Sequence, residues 1–172
     1  LPSGSRQGAG GEGELGYPAA LACMALLDSL HLDLQNKKIA VLGQGMLVGK
    51  PVSALLRFRN LDHIIITSKT PARNAYGIAV AGGENKEKII KEADVLISGI
   101  GKGKYITGEM IKPGAVLIDA GTSESNGAIV GDVDLKSVKG IASVVSPVPG
   151  GVGPVTVAML LTNVLIVAKK LI

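Results

Sequence analysis

Three glycines with the spacing of a phosphate-binding turn follow a short apolar run. Residues 39–42 read IAVL and residues 43–49 read GQGMLVG, which places Gly43, Gly45 and Gly49 in the pattern G-x-G-x-x-x-G. Between a strand and a helix, the first glycine allows a tight turn, the second lets the backbone approach a pyrophosphate, and the third permits close helix packing. The helix start then offers free N–H groups and a partial positive charge. The pattern predicts a dinucleotide site, and an ordinary glycine-rich turn is the alternative.

The residues after the second apolar run bear on which dinucleotide would bind. An NAD site usually places Asp or Glu about 20 residues beyond the glycines, where the carboxylate binds the ribose 2′-hydroxyl. Here the run at residues 64–66 leads into Thr67, Ser68 and Lys69, without a carboxylate. An ammonium and two hydroxyls suit a 2′-phosphate. The segment therefore predicts NADP as the cofactor, with NAD and a merely solvated loop as alternatives.

Other titratable residues lack the spacing of a catalytic or metal-binding set. Cys23 lies on an apolar helical face, and we interpret it as a core residue. His31 and His63 have no partner at ligand spacing, and Asp132 lacks enough neighbouring carboxylates for a cation site. Asp119 ends an apolar run, and we interpret it as a structural anchor, with a supporting role beside a site as the alternative. No metal site is predicted.

The elements that must position these residues alternate between strand and helix. Continuous apolar runs, typical of strands buried on both faces, occupy residues 39–42, 64–66, 95–97 and 115–118. Helical patterns occupy residues 18–30, 47–58, 85–92 and 154–171, with a short one near 108–111. This alternation predicts an α/β fold, a single Rossmann-type domain with a three-layer, doubly wound parallel sheet. The last helix is apolar around much of its circumference and is predicted to bury more than one face.

Composition narrows the class of protein. The chain has 172 residues, enough for one domain, with 24 Gly, one Cys, one Phe, three Tyr, no Trp and a net charge of +4. So few aromatic rings and so mild a charge argue against a nucleic-acid partner. The single cysteine fits a reducing, cytoplasmic compartment. The apolar stretch at residues 155–168 is predicted to be too short to span a bilayer, so no membrane partner is expected.

A proline- and glycine-rich segment near the end of the chain resembles a known family. Residues 146–160 read SPVPGGVGPVTVAML, which is similar to the PVPGGVGPxTxAxL signature of bifunctional methylenetetrahydrofolate dehydrogenase/cyclohydrolases. VGKP at 48–51, SKT at 68–70, IKPGAVLID at 111–119 and VGDV at 130–133 also resemble family segments, in the same order. In physical terms, the prolines stiffen the loop and its glycines allow close approach of backbone to a ligand. A purely structural start to the last helix is the alternative.

The resemblance implies a set of contacts to NADP and to a tetrahydrofolate derivative. The implied cofactor contacts are Gly43, Gln44 and Gly45 at the pyrophosphate and adenosine end, Val48 and Gly49 lining the turn, Thr67 and Ser68 at the ribose phosphate, Gly99, Gly101 and Thr122 along the nicotinamide half, and Thr156 on the last helix. The implied substrate contacts are Pro147, Gly150 and Gly151. The resemblance also implies a homodimer.

The family's catalytic machinery is not matched. Its acid–base pair, Tyr-x-x-x-Lys, belongs to an N-terminal domain, and each tyrosine here (Tyr17, Tyr76 and Tyr105) has a residue other than lysine four positions on. Catalytic residues are therefore not predicted in this chain, which alone is expected to be inactive.

The ends and insertions of the chain add further expectations. Residues 1–16 contain six glycines and read as a flexible segment before a domain at residues 17–172, and Leu1 looks like a cut end. The interval 72–91 is longer than the family usually has, and Gln44 and Thr67 stand where the family has Arg and His.

Two hypotheses follow from the sequence. The chain is either the cofactor-binding part of an enzyme or a non-catalytic nucleotide-binding module that has lost its catalytic domain. As an enzyme, it would oxidise 5,10-methylenetetrahydrofolate to the methenyl form and hydrolyse that to 10-formyltetrahydrofolate. Another Rossmann-type dehydrogenase, such as a shikimate-type enzyme, fits the proline–glycine segment less well.

Overall fold

The computed structural model describes residues 15–67, 80–81, 85–125 and 127–171. In chain order the elements are α1 (Pro18–Asp28), β1 (Ile39–Leu42), α2 (Gly49–Phe58), β2 (His63–Ile66), β3 (Val80–Ala81), α3 (Asn85–Glu92), β4 (Val95–Ser98), a 3₁₀ turn (Gly108–Met110), β5 (Val116–Asp119), β6 (Ser123–Ser125), β7 (Ala128–Val130), α4 (Leu135–Val138), β8 (Val144–Val145) and α5 (Val152–Leu171).

Six strands form one parallel sheet in the order β3-β2-β1-β4-β5-β8. The order reverses between β1 and β4, which is the arrangement of a doubly wound sheet and confirms the predicted fold class. All pairings in this sheet are parallel, with Leu42 abreast of Ile66 and Ser98, and Ser98 abreast of Asp119. The strands therefore end together, and we call that end of the sheet the carboxyl edge. Ligands of such sheets bind in the crevice at this edge.

The core consists of two layers because neighbouring side chains of a strand point to opposite faces. From β1, Ile39 and Val41 pack with α1 and α2, whereas Ala40 and Leu42 pack with the layer that includes α3. All four residues of β1, β4 and β5 are buried. This continuous burial explains why the central strands read as unbroken apolar runs.

The predicted strands and helices are all present, and the elements that were missed are short. β3 and β8 have two residues each and lie at the two ends of the sheet, and α4 has four residues. The antiparallel hairpin formed by β6 and β7 was also not predicted. Such short elements carry too few residues for a hydrophobic period to be read.

Helix α5 differs from both predictions made for it. It packs against α1 along one stripe, whose buried or half-buried residues are Val152, Val155, Thr156, Met159, Asn163 and Ile166. The opposite side is exposed, so the prediction that α5 buries more than one face is wrong for this chain.

The prediction that the apolar stretch of this segment is too short to span a bilayer is also wrong. Helix α5 has 20 residues and contains an 18-residue window with a mean hydropathy of 1.8, so by length and composition it could cross a membrane. Only 6% of this window is buried within the protein. The apolar run looks too short in the sequence because Thr156, Thr162 and Asn163 interrupt it. The hydroxyls of both threonines instead bond to carbonyls four residues back within the helix.

His63 gives the fold a pH dependence. Its Nδ1 lies 3.1 Å from the carbonyl oxygen of Leu61, and its buried Nε2 has no hydrogen-bond partner in the described part of the chain. Burial holds the pKa of His63 below its ordinary value. Below about pH 6.5 the unfolded chain binds a proton that the folded chain resists. We therefore expect the free energy of unfolding to fall as the pH drops through this range.

Urea unfolding between pH 7.5 and 5.5 would measure the effect, with His63→Val expected to flatten the slope. His31→Asn is the matched control, because His31 is exposed and asparagine tolerates its φ of 50°. A slope in His63→Val as steep as that of the wild type would contradict the assignment.

Candidate functional site

The turn after β1 is fixed by close backbone packing. Gly43 has a φ of 95°, and its N–H donates to the carbonyl of Ile66 at 2.9 Å. A Cβ on Gly43 would lie 2.9 Å from Cγ2 of Ile100, in the loop after β4. A Cβ on Gly49 would overlap with the carbonyl oxygen of Gly43. The first and third glycines are thus required by the fold of the turn itself.

Gly45 differs from the other two because the protein does not restrict it. A Cβ there would have no atom within 4 Å among the described residues, and Gly45 does not lie in the left-handed region. The N–H groups of Gln44 and Gly45 donate to no backbone carbonyl in the described residues. Helix α2 begins at Gly49 without a side-chain cap at Val48. Open space, free donors and an uncapped helix start are the features that a pyrophosphate requires.

The side chain of Gln44 is held within the turn. Its Nε2 donates to the carbonyl oxygen of Gly43 at 2.9 Å and to Oγ of Ser53 at 3.3 Å. Ser53 is buried on α2. The amide therefore ties the turn to the helix that follows it.

The loop after β4 completes this side of the site. A Cβ on Gly99 would lie 2.9 Å from the side chain of Val48, so the loop lies directly against the turn. Gly101 has a φ of 67°, and a Cβ there would lie 3.9 Å from the carbonyl oxygen of Thr122, which follows β5. The structure thus brings Gly99 against Val48 and Gly101 near Thr122.

A buried carboxylate holds that loop. Asp132 has no exposed surface, and its Oδ2 accepts from Oγ of Ser98 at 2.7 Å and from the N–H of Ile100 at 2.9 Å. Its Oδ1 accepts from the N–H of Lys102 at 2.7 Å. Three donors on one carboxyl group satisfy its oxygens in the interior.

A second buried carboxylate supports the first. Asp119 accepts from the N–H groups of Gly121, Asp132 and Val133 at 2.8–3.1 Å. Burial raises the pKa of the Asp119 carboxyl, and these three bonds oppose that effect. The N–H of Asp119 donates to Oγ of Ser146, at the end of β8. The two aspartates therefore join the loops after β4, β5 and β8, in agreement with the predicted anchoring role of Asp119.

The proline–glycine segment forms an exposed loop between β8 and α5. Pro147 and Gly150 are exposed, and Gly150 has a φ of 110°. Gly151 is buried, and its N–H donates to the carbonyl oxygen of Pro147 at 2.7 Å. The hydroxyl of the half-buried Thr156 donates to the carbonyl of Val152 at 2.9 Å, which leaves its oxygen able to accept a further bond. Gly151 thus closes the loop, while Pro147 and Gly150 face outward.

The remaining predicted residues can be placed in part. Thr67 follows β2 at the carboxyl edge and is half-buried. Ser68, Lys69, residues 1–14 and most of the interval 72–84 lie outside the described residues. Within the described ranges, no group of three or more His, Cys, Asp or Glu side chains could hold a metal ion.

The anchoring role of Asp132 was missed. The signal available was a charged residue directly before an apolar one within the VGDV segment, and that pattern is also common on solvated loops.

A doubly wound parallel sheet with a glycine turn and an open helix start at its carboxyl edge defines a Rossmann-type dinucleotide-binding domain. Within this class, the chain matches one particular family. A model of the NAD(P)-binding domain of tetrahydrofolate dehydrogenase/cyclohydrolase matches residues 18–172, and the chain belongs to this family.

Individual members of this family, including proteins of solved structure, are similar to this chain. The chain is 42% identical over 147 residues to the bifunctional protein FolD of Natranaerobius thermophilus, a match that covers 86% of this chain and 47% of that protein. The FolD dehydrogenase/cyclohydrolase of Campylobacter jejuni superposes with a TM-score of 0.78 at 29% identity, covering 92% of this chain and 52% of that one. The Trypanosoma brucei enzyme, solved with NADP and an inhibitor, gives a TM-score of 0.74 at 34% identity, covering 89% and 50%. The chain therefore spans about half the length of the relatives it matches.

Proposed function

We propose that this chain is the NADP-binding part of a methylenetetrahydrofolate dehydrogenase/cyclohydrolase. The observation that carries the proposal is the turn at residues 43–49. Two of its glycines are required by the fold, and Gly45 faces open space beside free N–H donors. A turn position where the protein itself leaves open space, beside free donors, fits a ligand that approaches the backbone closely. The Trypanosoma brucei structure, a family member, holds NADP.

The residues of this chain would bind and orient rather than transfer protons. The turn would hold the pyrophosphate, with Thr67, Ser68 and Lys69 at the ribose phosphate. Gly99, Gly101, Thr122 and Thr156 would line the nicotinamide half. When bound, NADP⁺ supplies a hydride acceptor for the methylene carbon of 5,10-methylenetetrahydrofolate.

The substrate would lie against the exposed Pro147 and Gly150, on a loop closed by Gly151. Hydrolysis of the methenyl product to 10-formyltetrahydrofolate needs an acid–base pair. No residue of this chain is proposed for that role, so the isolated chain is expected to bind NADP⁺ without turnover.

The second candidate is a non-catalytic nucleotide-binding module. The absence of a Tyr-x-x-x-Lys pair from the 172 residues motivates it. Both candidates require nucleotide binding, and they differ in whether the nucleotide bound to this chain takes part in hydride transfer when a Tyr-x-x-x-Lys domain is present. Mixing the chain with the N-terminal part of a FolD relative and following NADPH absorbance distinguishes them. Turnover supports the enzyme, and binding without turnover favours the module.

Calorimetric titration of the full 172-residue chain with NADP⁺ and with NAD⁺ tests the binding proposal. We expect NADP⁺ to bind more tightly, and tighter binding of NAD⁺ would contradict the cofactor preference. In Gly45→Val, a side chain would fill the open space beside the free donors. The loss of one or two charge-assisted bonds predicts an affinity for both nucleotides at least about tenfold weaker.

Thermal unfolding is the control for Gly45→Val. Because a Cβ on Gly45 would have no described atom within 4 Å apart from its chain neighbours, the melting temperature of the variant should match that of the wild type. Unchanged affinity in a normally folded Gly45→Val would show that no phosphate lies at this turn.

We further propose a cytoplasmic homodimer, as the family resemblance implies. The β6–β7 hairpin supports self-association because it is a two-stranded sheet with unpaired edges, and Ile129 on it is 60% exposed. Sedimentation equilibrium would measure the mass, with Ile129→Lys expected to weaken the dimer. A monomeric wild type would contradict this proposal and leave the nucleotide site unaffected.

A further inference from the structure

The side chains of two lysines, which have no role in the site described above, converge on one tyrosine at the carboxyl edge. Lys86, in the first turn of α3, donates from Nζ to the phenol oxygen of Tyr105 at 2.5 Å, and its ammonium lies 5.2 Å from the ring centroid. The ammonium of Lys102 lies 5.7 Å from the same centroid. Within the described residues, neither lysine forms an ion pair with a carboxylate. Two like charges held near one ring repel each other, and a bound anion would relieve that repulsion.

The backbone joins this lysine–tyrosine cluster to the loop that packs against the dinucleotide turn. Lys102 lies two residues after Ile100, the residue that a Cβ on Gly43 would contact, and its N–H is fixed by Asp132. β3 pairs with β2 so that Ala81 is abreast of Ile66, the last residue of β2. Helix α3 then begins at Asn85. Lys86 therefore follows β3 and Lys102 follows β4 at the carboxyl edge, the edge at which doubly wound domains bind the adenosine ribose.

The turn itself contributes no cation to that position. The only polar side chain at its start, Gln44, is occupied by Gly43 and Ser53. A 2′-phosphate carries up to two negative charges and needs charged donors, which a neutral amide held within the protein does not supply. Lys86 has N–H groups left after its bond to Tyr105, and the exposed Lys102 has all of its own.

We propose that Lys86 and Lys102, positioned by Tyr105, bind the 2′-phosphate of NADP(H) and so select it over NAD(H). The proposal rests on the proposed function, since it requires a dinucleotide on the 43–49 turn. The chemistry recognised is a phosphate monoester, whose other source would be free phosphate in solution.

Paired calorimetric titrations with NADP⁺ and NAD⁺ test the proposal in Lys86→Met and Lys102→Met of the full 172-residue chain. Each substitution removes one charged donor and retains most of the aliphatic stem. We expect each to weaken NADP⁺ binding about tenfold and to leave NAD⁺ binding unchanged. Lys86→Arg retains the charge and should keep the preference for NADP⁺. Lys139→Met is the matched control, because Lys139 is an exposed lysine at the end of α4, close to the amino end of the sheet.

The outcomes separate the two proposals. If the wild type binds neither dinucleotide, the proposed function and this inference both fail. If it binds NADP⁺ and the ratio of the two affinities stays the same in the methionine variants, the inference alone is wrong. An equal loss for both nucleotides also overturns it, because the lysines would then act on the fold or on the shared pyrophosphate. Titration with inorganic phosphate adds a last check. Phosphate binding that is lost in Lys86→Met while NADP⁺ affinity is unaffected would show a site for the free ion only.

Discussion

Replacing Asp132 with asparagine is expected to lower the free energy of unfolding by about 3 kcal/mol. The carboxylate accepts three hydrogen bonds, from Ser98, Ile100 and Lys102, and has no exposed surface. An asparagine side chain has one acceptor oxygen, and its NH₂ group would face at least one N–H donor. A buried donor would lose its partner, and two donors would be brought together. Urea unfolding followed by circular dichroism measures the loss.

Asp134→Asn is the matched control for this substitution. Asp134 is the N-cap of α4, where its side chain accepts from the N–H of Lys136. Asparagine caps helices about as well as aspartate, so the control should change stability by only a few tenths of a kcal/mol. Equal losses in Asp132→Asn and Asp134→Asn would show that the contacts of Asp132 contribute nothing beyond those of an ordinary cap.

The loss of stability in Asp132→Asn should be accompanied by weaker nucleotide binding. Asp132 holds Ile100 and Lys102, and Ile100 packs against Gly43. Loosening this loop would therefore displace both the turn and one of the two lysines proposed to bind the 2′-phosphate. The carboxylate is a positioning group for the site without any contact to the ligand. This link between loops explains why a buried polar residue remote from the turn matters to binding.

The sequence predicts the central sheet and the turn because both follow from local chemistry. The strands around Val41 and Ile97 are buried on both faces, so they read as unbroken apolar runs. Gly49 meets a steric limit set by Gly43, six residues earlier, and Gly43 has a positive φ within the turn, so the spacing alone indicates both glycines. Such features need no knowledge of distant contacts.

The features that could not be predicted depend on contacts between remote parts of the chain. Asp132 accepts from residues 30–34 positions away, and the pairing of Lys86 with Tyr105 spans 19 positions. Neither pairing leaves a local pattern. The exposure of α5 could not be predicted for a related reason, because an apolar helix reads the same whether its faces are covered or open.

Replacing Gly49 with alanine is expected to damage both the fold of the turn and the binding of NADP⁺. The new Cβ would overlap with the carbonyl oxygen of Gly43 and lie 2.7 Å from its carbonyl carbon. Both atoms are backbone, and Gly43 cannot move aside because its N–H is bonded to Ile66 and its other side meets Ile100. Overpacking of this kind costs about 1–3 kcal/mol or more. The turn and the start of α2 would separate, so NADP⁺ binding should fall at least about a hundredfold, the equivalent of about 2.7 kcal/mol.

Gly45→Ala, four residues before the start of α2, is the internal comparison for Gly49→Ala. Its Cβ would have no described atom within 4 Å, so stability should stay near that of the wild type while nucleotide affinity falls. Together the two variants separate a glycine that the fold requires from one that the ligand requires. Urea unfolding and calorimetry on the same preparations measure both quantities. Normal stability in Gly49→Ala would show that the turn can accommodate a Cβ at this position. The turn would then not be the rigid pyrophosphate-binding element that we propose.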